Sequence, residues 1–440
     1  MSRNTGRCRS EFLKQSAALA AGAAFLPEIV PAAALGADGA TAPSNRIVMG
    51  CIGVGGQGQG NMNGFMGNSD VQVAAVCDVD AGHMNSARDA VNKRYNNQDC
   101  KAYKDFRALL ARSDIDAVSI CTPDHWHGLA SIAAAKAKKD IYCEKPLANS
   151  VGEGRAVANA VKENSRVLQT GSQERSGGNV RYVTELVQNG YIGKLHTIRV
   201  NLPTNDGHHQ DVKNFSGIPA EQKVPEGLDF DFWLGHTPLA PYCDRRCHFW
   251  WRFILAHGGG EMTDRGAHVI DIAQLVHFTD DTGPVEFKAK GGRKAGSLYD
   301  AFMEYEFENV YADGVRMIGS SANQARGVKF EGDKGWIFVH IHGQSLEASS
   351  PAILQEKIAE NAIRVPRSPG HHRDFLDCVK SRKQPLANAE VGHRTASICH
   401  LNNIAMTVGK GFKWDPVRET TDCDEANKLL TPVMRAPWKL

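Results

Sequence analysis

Three spaced glycines in Gly53-Val54-Gly55-Gly56-Gln57-Gly58 follow the apolar run Ile47–Ile52 directly, and no other feature constrains the fold of this chain as strongly. In a strand-to-helix turn Gly53 permits the tight bend and Gly55 lets the backbone approach a pyrophosphate. Gly58 lets helix and strand pack closely. A helix starting there meets phosphates with free N–H groups and the positive end of its dipole. Apolar runs at 71–76, 115–121, 141–143 and 167–169 read as further strands, with helices near 81–93, 105–112, 128–138 and 152–164 between them. That alternation implies a doubly wound parallel sheet, a Rossmann-type domain covered on both faces. Asp78 ends the second strand about twenty residues past the last glycine, where a carboxylate accepts hydrogen bonds from an adenosine ribose and repels a 2′-phosphate. The expected cofactor is NAD, with NADP as the alternative.

After residue 171 the rhythm changes. A helix near 179–189 and a strand near 196–202 precede an aromatic-rich stretch that reaches Trp251, and a helix follows Gly266. Strand candidates at 285–290, 301–307, 315–319 and Gly335–His340 then come in succession, before two late helices near 373–380 and 393–408. Runs of strands after an alternating unit imply a second α/β domain with an open, mainly antiparallel or mixed sheet. The chain therefore divides into a leader (1–42), a nucleotide domain (43–170) and a substrate-binding and oligomerisation domain (171–440). An open sheet leaves a broad face for self-association, so a homo-oligomer is expected.

The leader differs in kind from the rest. Arg3, Arg7 and Arg9 precede Phe12-Leu13-Lys14, an Ala/Leu stretch runs to Leu26, and Ala32-Ala33-Ala34 offers a cleavage site. That layout reads as an export signal to the periplasm, too short and alanine-rich to span a membrane. Its twin-arginine likeness is broken, because Ser10 stands where the second arginine belongs. With 42% hydrophobic and 23% charged residues, a net charge of +2 and scattered basic residues, nucleic acid and anionic membranes are poor partners. The 11 cysteines make no disulfide framework, since Cys51, Cys77 and Cys121 lie in or beside apolar runs. Cys243, Cys247 and His248 form a lone CxxxCH without a second half, so no metal is expected.

Two segments, Cys121-Thr122-Pro123-Asp124-His125-Trp126-His127 and Cys143-Glu144-Lys145-Pro146-Leu147, stand at the carboxyl ends of later strands and so face the cofactor crevice. Lys145 precedes proline and is held extended. In a partly dry crevice its ammonium can bond a substrate oxygen, and its pKa can shift downward enough to relay a proton; a solvated surface lysine is the bland reading. Farther along, Gly258-Gly259-Gly260-Glu261-Met262-Thr263-Asp264-Arg265-Gly266-Ala267-His268 is followed by Asp271. On a helix Asp264 and His268 share one face, where the carboxylate can orient the imidazole of a general base. The competing reading is a capping aspartate with a structural histidine.

Together these motifs resemble the Gfo/Idh/MocA oxidoreductases. The likeness continues through His393-Arg394, Asn403-Ile404-Ala405 and Trp414-Asp415-Pro416, which are similar to the exported bacterial branch. The resemblance implies a catalytic trio: His268 takes the proton of a substrate hydroxyl, Lys145 steadies the oxygen and Asp264 positions the group. It places Gly53, Gly55, Gln57, Gly58, Asp78, Thr122, Pro123, His127, Glu144 and Lys145 on the cofactor side, Gln173 near the nicotinamide, and Arg252 and His257 on substrate hydroxyls. Arg265 stands where that branch usually carries tryptophan, which alters the charge of the pocket wall. The implied activity is hydride transfer at a secondary alcohol of a sugar, cyclitol or glycoside, with tightly held NAD(P). A redox-neutral glycosidase or epimerase, and a non-catalytic dinucleotide or sugar sensor, are the rivals.

Overall fold

The computed structural model describes residues 45–343 and 345–440; the leader expected at 1–42 lies outside them. Ile47–Ile52 (β1), Val71–Cys77 (β2), Lys101–Tyr103 (β3), Ala117–Ile120 (β4), Asp140–Cys143 (β5) and Leu168–Thr170 (β6) form a parallel sheet in the order β3-β2-β1-β4-β5-β6. Gly56–Met66 (α1), Ala81–Tyr95 (α2), Phe106–Leu110 (α3), Asp124–Lys136 (α4) and Val151–Glu163 (α5) connect the strands. Side-chain caps start several of these helices: Asp80 accepts from the N–H groups of Gly82 and His83, and Ser150 from that of Glu153. Strand order reverses between β1 and β4, and the crevice at that switch point is where ligands bind in such sheets.

Gly178–Gln188 (α6), Leu195–Asn201 (β7), Gly207–Asn214 (α7), Phe230–Leu234 (α8), Glu261–Asp264 (α9) and Gly266–His277 (α10) come next. They lead into Glu286–Gly292 (β8), Glu304–Val310 (β9), Arg316–Ser320 (β10), Gly327–Gly332 (β11), Gly335–His340 (β12) and Leu346–Ala348 (β13). His371–Ser381 (α11), Ala389–Val408 (α12), Phe412–Asp415 (β14), Thr420–Thr421 (β15) and Asp424–Asn427 (α13) close the chain. The second sheet runs β13-β12-β11-β7-β10-β9-β8-β14-β15 and is mixed: β7 and β10 are parallel and the other neighbours antiparallel. Its inner face, including Ile198, Phe307, Met317 and Phe330, packs on Val183 and Leu186 of α6, Val269 and Ile272 of α10, and Ile398 and Leu401 of α12. The outer face is charged, with Lys290 on Glu306 and Arg316 on Glu308.

The boundary expected at 170/171 separates the two sheets but not their cores. Right-handed crossovers put α1 and α2 on one face of the first sheet and α4 and α5 on the other, leaving the β4–β6 half of the first face without a local helix. Helix α11 fills that place. Its Phe375, Leu376, Cys378 and Val379 join Met49, Phe65, Val73 and Tyr142 in one cluster, while Trp438 packs on the cluster under α3–α5. Phe375 is fully buried, so Phe375→Ala should cost about 3–5 kcal/mol in urea unfolding. A loss below about 1 kcal/mol would mean that α11 is no part of this core.

Candidate active site

A cleft of about 560 Å³ lies over the carboxyl ends of the first sheet. Gly53, Gly55 and Gln57 form its floor together with Asp78. Gly53 has φ +74°, and a Cβ there would lie 2.7 Å from the Cys121 carbonyl, so only glycine serves. Gly58 does not face the cleft. A Cβ on it would stand 1.9 Å from Gly53 O, so its part is the close packing of helix on strand. Asp78 accepts from Val54 N at 2.8 Å and from Asp80 N at 2.9 Å, which locks the carboxylate beside the glycine turn; burial raises its pKa. Lys104 and His83 share this rim.

On the other side of the cleft stand Thr122, Pro123, His127, Glu144 and Gln173. The Thr122 hydroxyl is buried with no partner, an orphan that a polar ligand group in the crevice would satisfy. The ring nitrogens of His127 lie 2.7 Å from Pro146 O and 2.9 Å from Thr122 O. Burial pushes its pKa down to about 4, so the ring is neutral and its single N–H donates to one of these two carbonyls. Glu144 accepts from Asn61 Nδ2 at 2.8 Å and from the N–H of Lys145 at 3.2 Å, which fixes the start of the lysine loop. An open glycine turn, a helix N-terminus, a carboxylate at the ribose position and an orphan hydroxyl all fit a dinucleotide.

Lys145, Asp264 and His268 meet at the mouth of this cleft. Lys145 Nζ donates to Asp264 Oδ1 at 2.7 Å and to Asp264 O at 2.8 Å, with the two side chains 16% and 21% exposed. Burial alone would raise Asp264, but Lys145, followed by Arg252 and Arg265, holds it far below the usual carboxylate range. The lysine departs from expectation. Burial pulls its pKa down, yet the charge of Asp264 first, and that of Asp124 once this acid is ionised at higher pH, outweigh that and leave it raised, so it stays an ammonium and does not relay protons by itself.

His268 is buried, and its Nδ1 has no partner. Burial, then the charge of Lys145, pushes its pKa down to about 3, so the ring is neutral with an available lone pair. The sequence suggested that Asp264 orients this imidazole. Instead the carboxylate turns to Lys145, and the described residues show no hydrogen bond between Asp264 and His268. What fixes the helix under His268 is Asp271, which accepts from Arg175 Nε at 2.6 Å and from the Thr395 hydroxyl at 3.1 Å.

Arg252 reaches the cleft and His257 does not. The His257 ring is buried between His125 and Trp233, each at 4.9 Å between centroids, because the aromatic stretch around α8 folds over it. The CxxxCH spacing makes no ligand set either. Cys243 and Cys247 are buried free thiols in two different apolar clusters, whereas the His248 ring lies 5.5 Å from that of His83. At the cleft rim, Asp80, His83 and His248 bring three ligand-type atoms within 4.8 Å of one another.

One residue was not singled out from sequence. Asp124 opens α4, lines the cleft and is 5% exposed. Burial pushes its pKa up to about 8 against the pull of Lys145, so at neutral pH it is mostly the neutral acid. The available signal was its place directly after a strand-end Thr-Pro, where a helix start faces the crevice.

Residues 176–440 match the "Oxidoreductase family, C-terminal alpha/beta domain" and residues 47–172 the "Oxidoreductase family, NAD-binding Rossmann fold" of Gfo/Idh/MocA. The chain belongs to the Gfo/Idh/MocA oxidoreductase family. Its similarity to a myo-inositol 2-dehydrogenase of Thermotoga maritima is 31% identity over 302 residues, 66% of this chain and 78% of that protein. The uncharacterized oxidoreductase YrbE of Bacillus subtilis is 31% identical over 174 residues, 40% of this chain and about half (49%) of its own length. Among solved structures, the WlbA dehydrogenase of Bordetella pertussis in complex with NADH and UDP-GlcNAcA superposes with a TM-score of 0.62 at 15% identity, covering 84% of this chain and 99% of that one. At that identity the likeness concerns the fold. Among the described residues no helix is long and apolar enough to cross a membrane.

A pH-dependent test follows from Asp124. Its folded pKa lies above the unfolded value, so the folded state holds the extra proton and stability falls as pH rises from about 4 to about 8. Asp124→Asn removes that loss. The variant should exceed the wild type in stability at pH 8–9 by an amount on the order of a few kcal/mol, and the gain should shrink toward pH 4. Urea midpoints across this range decide it; a gain that does not vary with pH would place an ionised carboxylate in the cleft.

Proposed function

We propose that this protein is an NAD-dependent oxidoreductase that oxidises or reduces a secondary alcohol of a sugar, cyclitol or glycoside. The observation that carries the reading is the convergence of a charged Lys145–Asp264 pair and a neutral His268 at the mouth of a dinucleotide cleft. When bound, NAD supplies a hydride acceptor or donor at nicotinamide C4. His268, neutral and unprotonated, takes the hydroxyl proton in the oxidising direction. Lys145 has three N–H bonds, of which two go to Asp264, and the third is available to the substrate oxygen. Its raised pKa keeps it a donor as negative charge develops on that oxygen. Asp264 aims the ammonium.

The inositol dehydrogenase relative and the sugar-nucleotide complex of the WlbA neighbour support a polyhydroxylated substrate. Asp78, locked beside the glycine turn, supports NAD over NADP. The leader reading supports a periplasmic protein, and because free dinucleotide is scarce there, a cofactor held through turnover. Lys145 within Glu144-Lys145-Pro146 favours hydride transfer over a redox-neutral glycosidase, and the presence of Lys145, Asp264 and His268 together favours an enzyme over a binding protein.

His268→Ala should lower kcat about 10²–10⁴-fold while NAD affinity, measured by calorimetry, stays near that of the wild type. An unchanged kcat would remove His268 as the base. Denaturing the purified protein and assaying the released nucleotide tests retention. One NAD(H) per chain is expected, and an empty protein would mean that the cofactor exchanges.

A further inference from the structure

Three cations converge at the substrate end of the cleft. Asp264 is approached by three: Lys145 bonds it, while Arg252 Nε stops at 3.6 Å from Oδ1 and Arg265 Nη1 at 3.7 Å from Oδ2. Arg265 has a firm partner elsewhere, Glu261 Oε2 at 2.9 Å. Arg252 has none of that kind. Among the described residues its one hydrogen bond goes to the carbonyl of Phe249 at 3.1 Å, and the carboxylate that faces it, Asp264 at 3.6 Å, is an ion-pair partner that accepts no hydrogen bond from it. Its guanidinium is instead steadied by ring faces, 4.9 Å from the centroid of Phe249 and 4.5 Å from that of Trp251. The side chain is 25% exposed, and the part that is open lines the cleft. The nearby Asp124 does not balance the charge at neutral pH, since burial keeps most of it protonated.

A planar fork clamped against aromatic faces with free N–H bonds is preorganised for bidentate pairing with a carboxylate. We infer that Arg252, with Arg265 across the Asp264 carboxylate, binds a carboxylate of the substrate, which makes the substrate an acidic sugar such as a uronate or its glycoside. This rests on the oxidoreductase reading above and narrows it. The same cation could serve the cofactor's own phosphates, which are the other anions that enter the cleft.

Matched pyranoses that differ only at the terminal carbon separate these cases. The full-length protein loaded with NAD(H) is titrated calorimetrically with D-glucuronate against D-glucose and D-galacturonate against D-galactose, and initial rates are measured on the same pairs. The acid of at least one pair should bind at least about tenfold more tightly than its neutral partner. Arg252→Gln should bring that ratio close to one, Arg265→Gln should reduce it, and Arg252→Lys should retain part of it. NAD affinity should stay near that of the wild type, as should the thermal midpoint of the Arg252 variants; Arg265→Gln, which strips a partner from the buried Glu261, is compared at a temperature where it is folded. No acid preference in either pair, or a preference that survives both glutamine variants, overturns the inference. Weakened NAD binding in Arg252→Gln with the acid ratio intact assigns the arginine to cofactor phosphate and overturns it as well. Acid preference without nucleotide reduction would sustain the anion site while removing the hydride-transfer reading; oxidation of neutral sugars without acid preference would do the reverse.

Discussion

The ion pair between Lys145 and Asp264 joins the end of β5 to the end of α9 across 119 residues of chain, and the chemistry of the cleft depends on it. Taking two charges partly out of water costs much of what their attraction returns, so a pair at 16% and 21% exposure is a weak source of stability. What it provides is position and charge state. The ammonium is fixed by two bonds to one residue, and its field helps to keep His268 unprotonated. One contact therefore bears on both halves of the acid–base machinery: a donor that keeps its proton and a neutral imidazole with a ring nitrogen free to take one.

That dependence explains which parts of the molecule were legible in the sequence. Strand β1 and strand β12 have the bounds read from their apolar runs, and the glycine turn places the crevice. Strands β3, β13, β14 and β15 escaped notice because they span only two to four residues, and β11 because its six hold just two large apolar side chains, Val328 and Phe330. Lys101-Ala102-Tyr103 becomes a strand only because β2 offers an edge to pair with. At the site, residue types and their spacing suggested the trio, but the charge states could not be read. The direction of the Lys145 shift depends on Asp264 and Asp124, one remote in sequence and the other folded toward it by the start of α4. His257 misled for the same reason. Its neighbouring glycines mark a close backbone approach, whereas its side chain lies on the far side of that backbone, among aromatic rings.

The way α11 completes the first sheet bears on how the cleft is held. His372 Nε2 lies 3.1 Å from Asn61 Oδ1, and Asn61 in turn donates to Glu144 at 2.8 Å, directly before Lys145. A helix near the end of the chain therefore braces the lysine loop from behind. The opposite flank is tied by Arg155 of α5, which bonds Glu390 at 2.8 Å and Glu419 at 2.7 Å. The two sheets share their supports, so the geometry of the trio belongs to the whole folded unit.

Arg265 shows what this sharing demands of one pocket-wall position. A tryptophan there, as the resemblance expects, would need only apolar packing. An arginine needs counter-charges, and this chain supplies three: Glu261, Asp206 and Asp264. Glu261 of α9 accepts from Arg265 at 2.9 Å and lies 3.2 Å from His209 of α7, while Asp206 stands 3.6 Å from Arg265 and accepts from Arg326 at 2.9 Å. Arg326 sits between β10 and β11, so the wall of the cleft is wired into the second sheet. Glu261 is 1% exposed, and a carboxylate that deep is tolerable only while cations surround it. The arginine at this wall position is thus inseparable from Asp206, His209, Glu261 and Arg326, which together form a charged wall behind it.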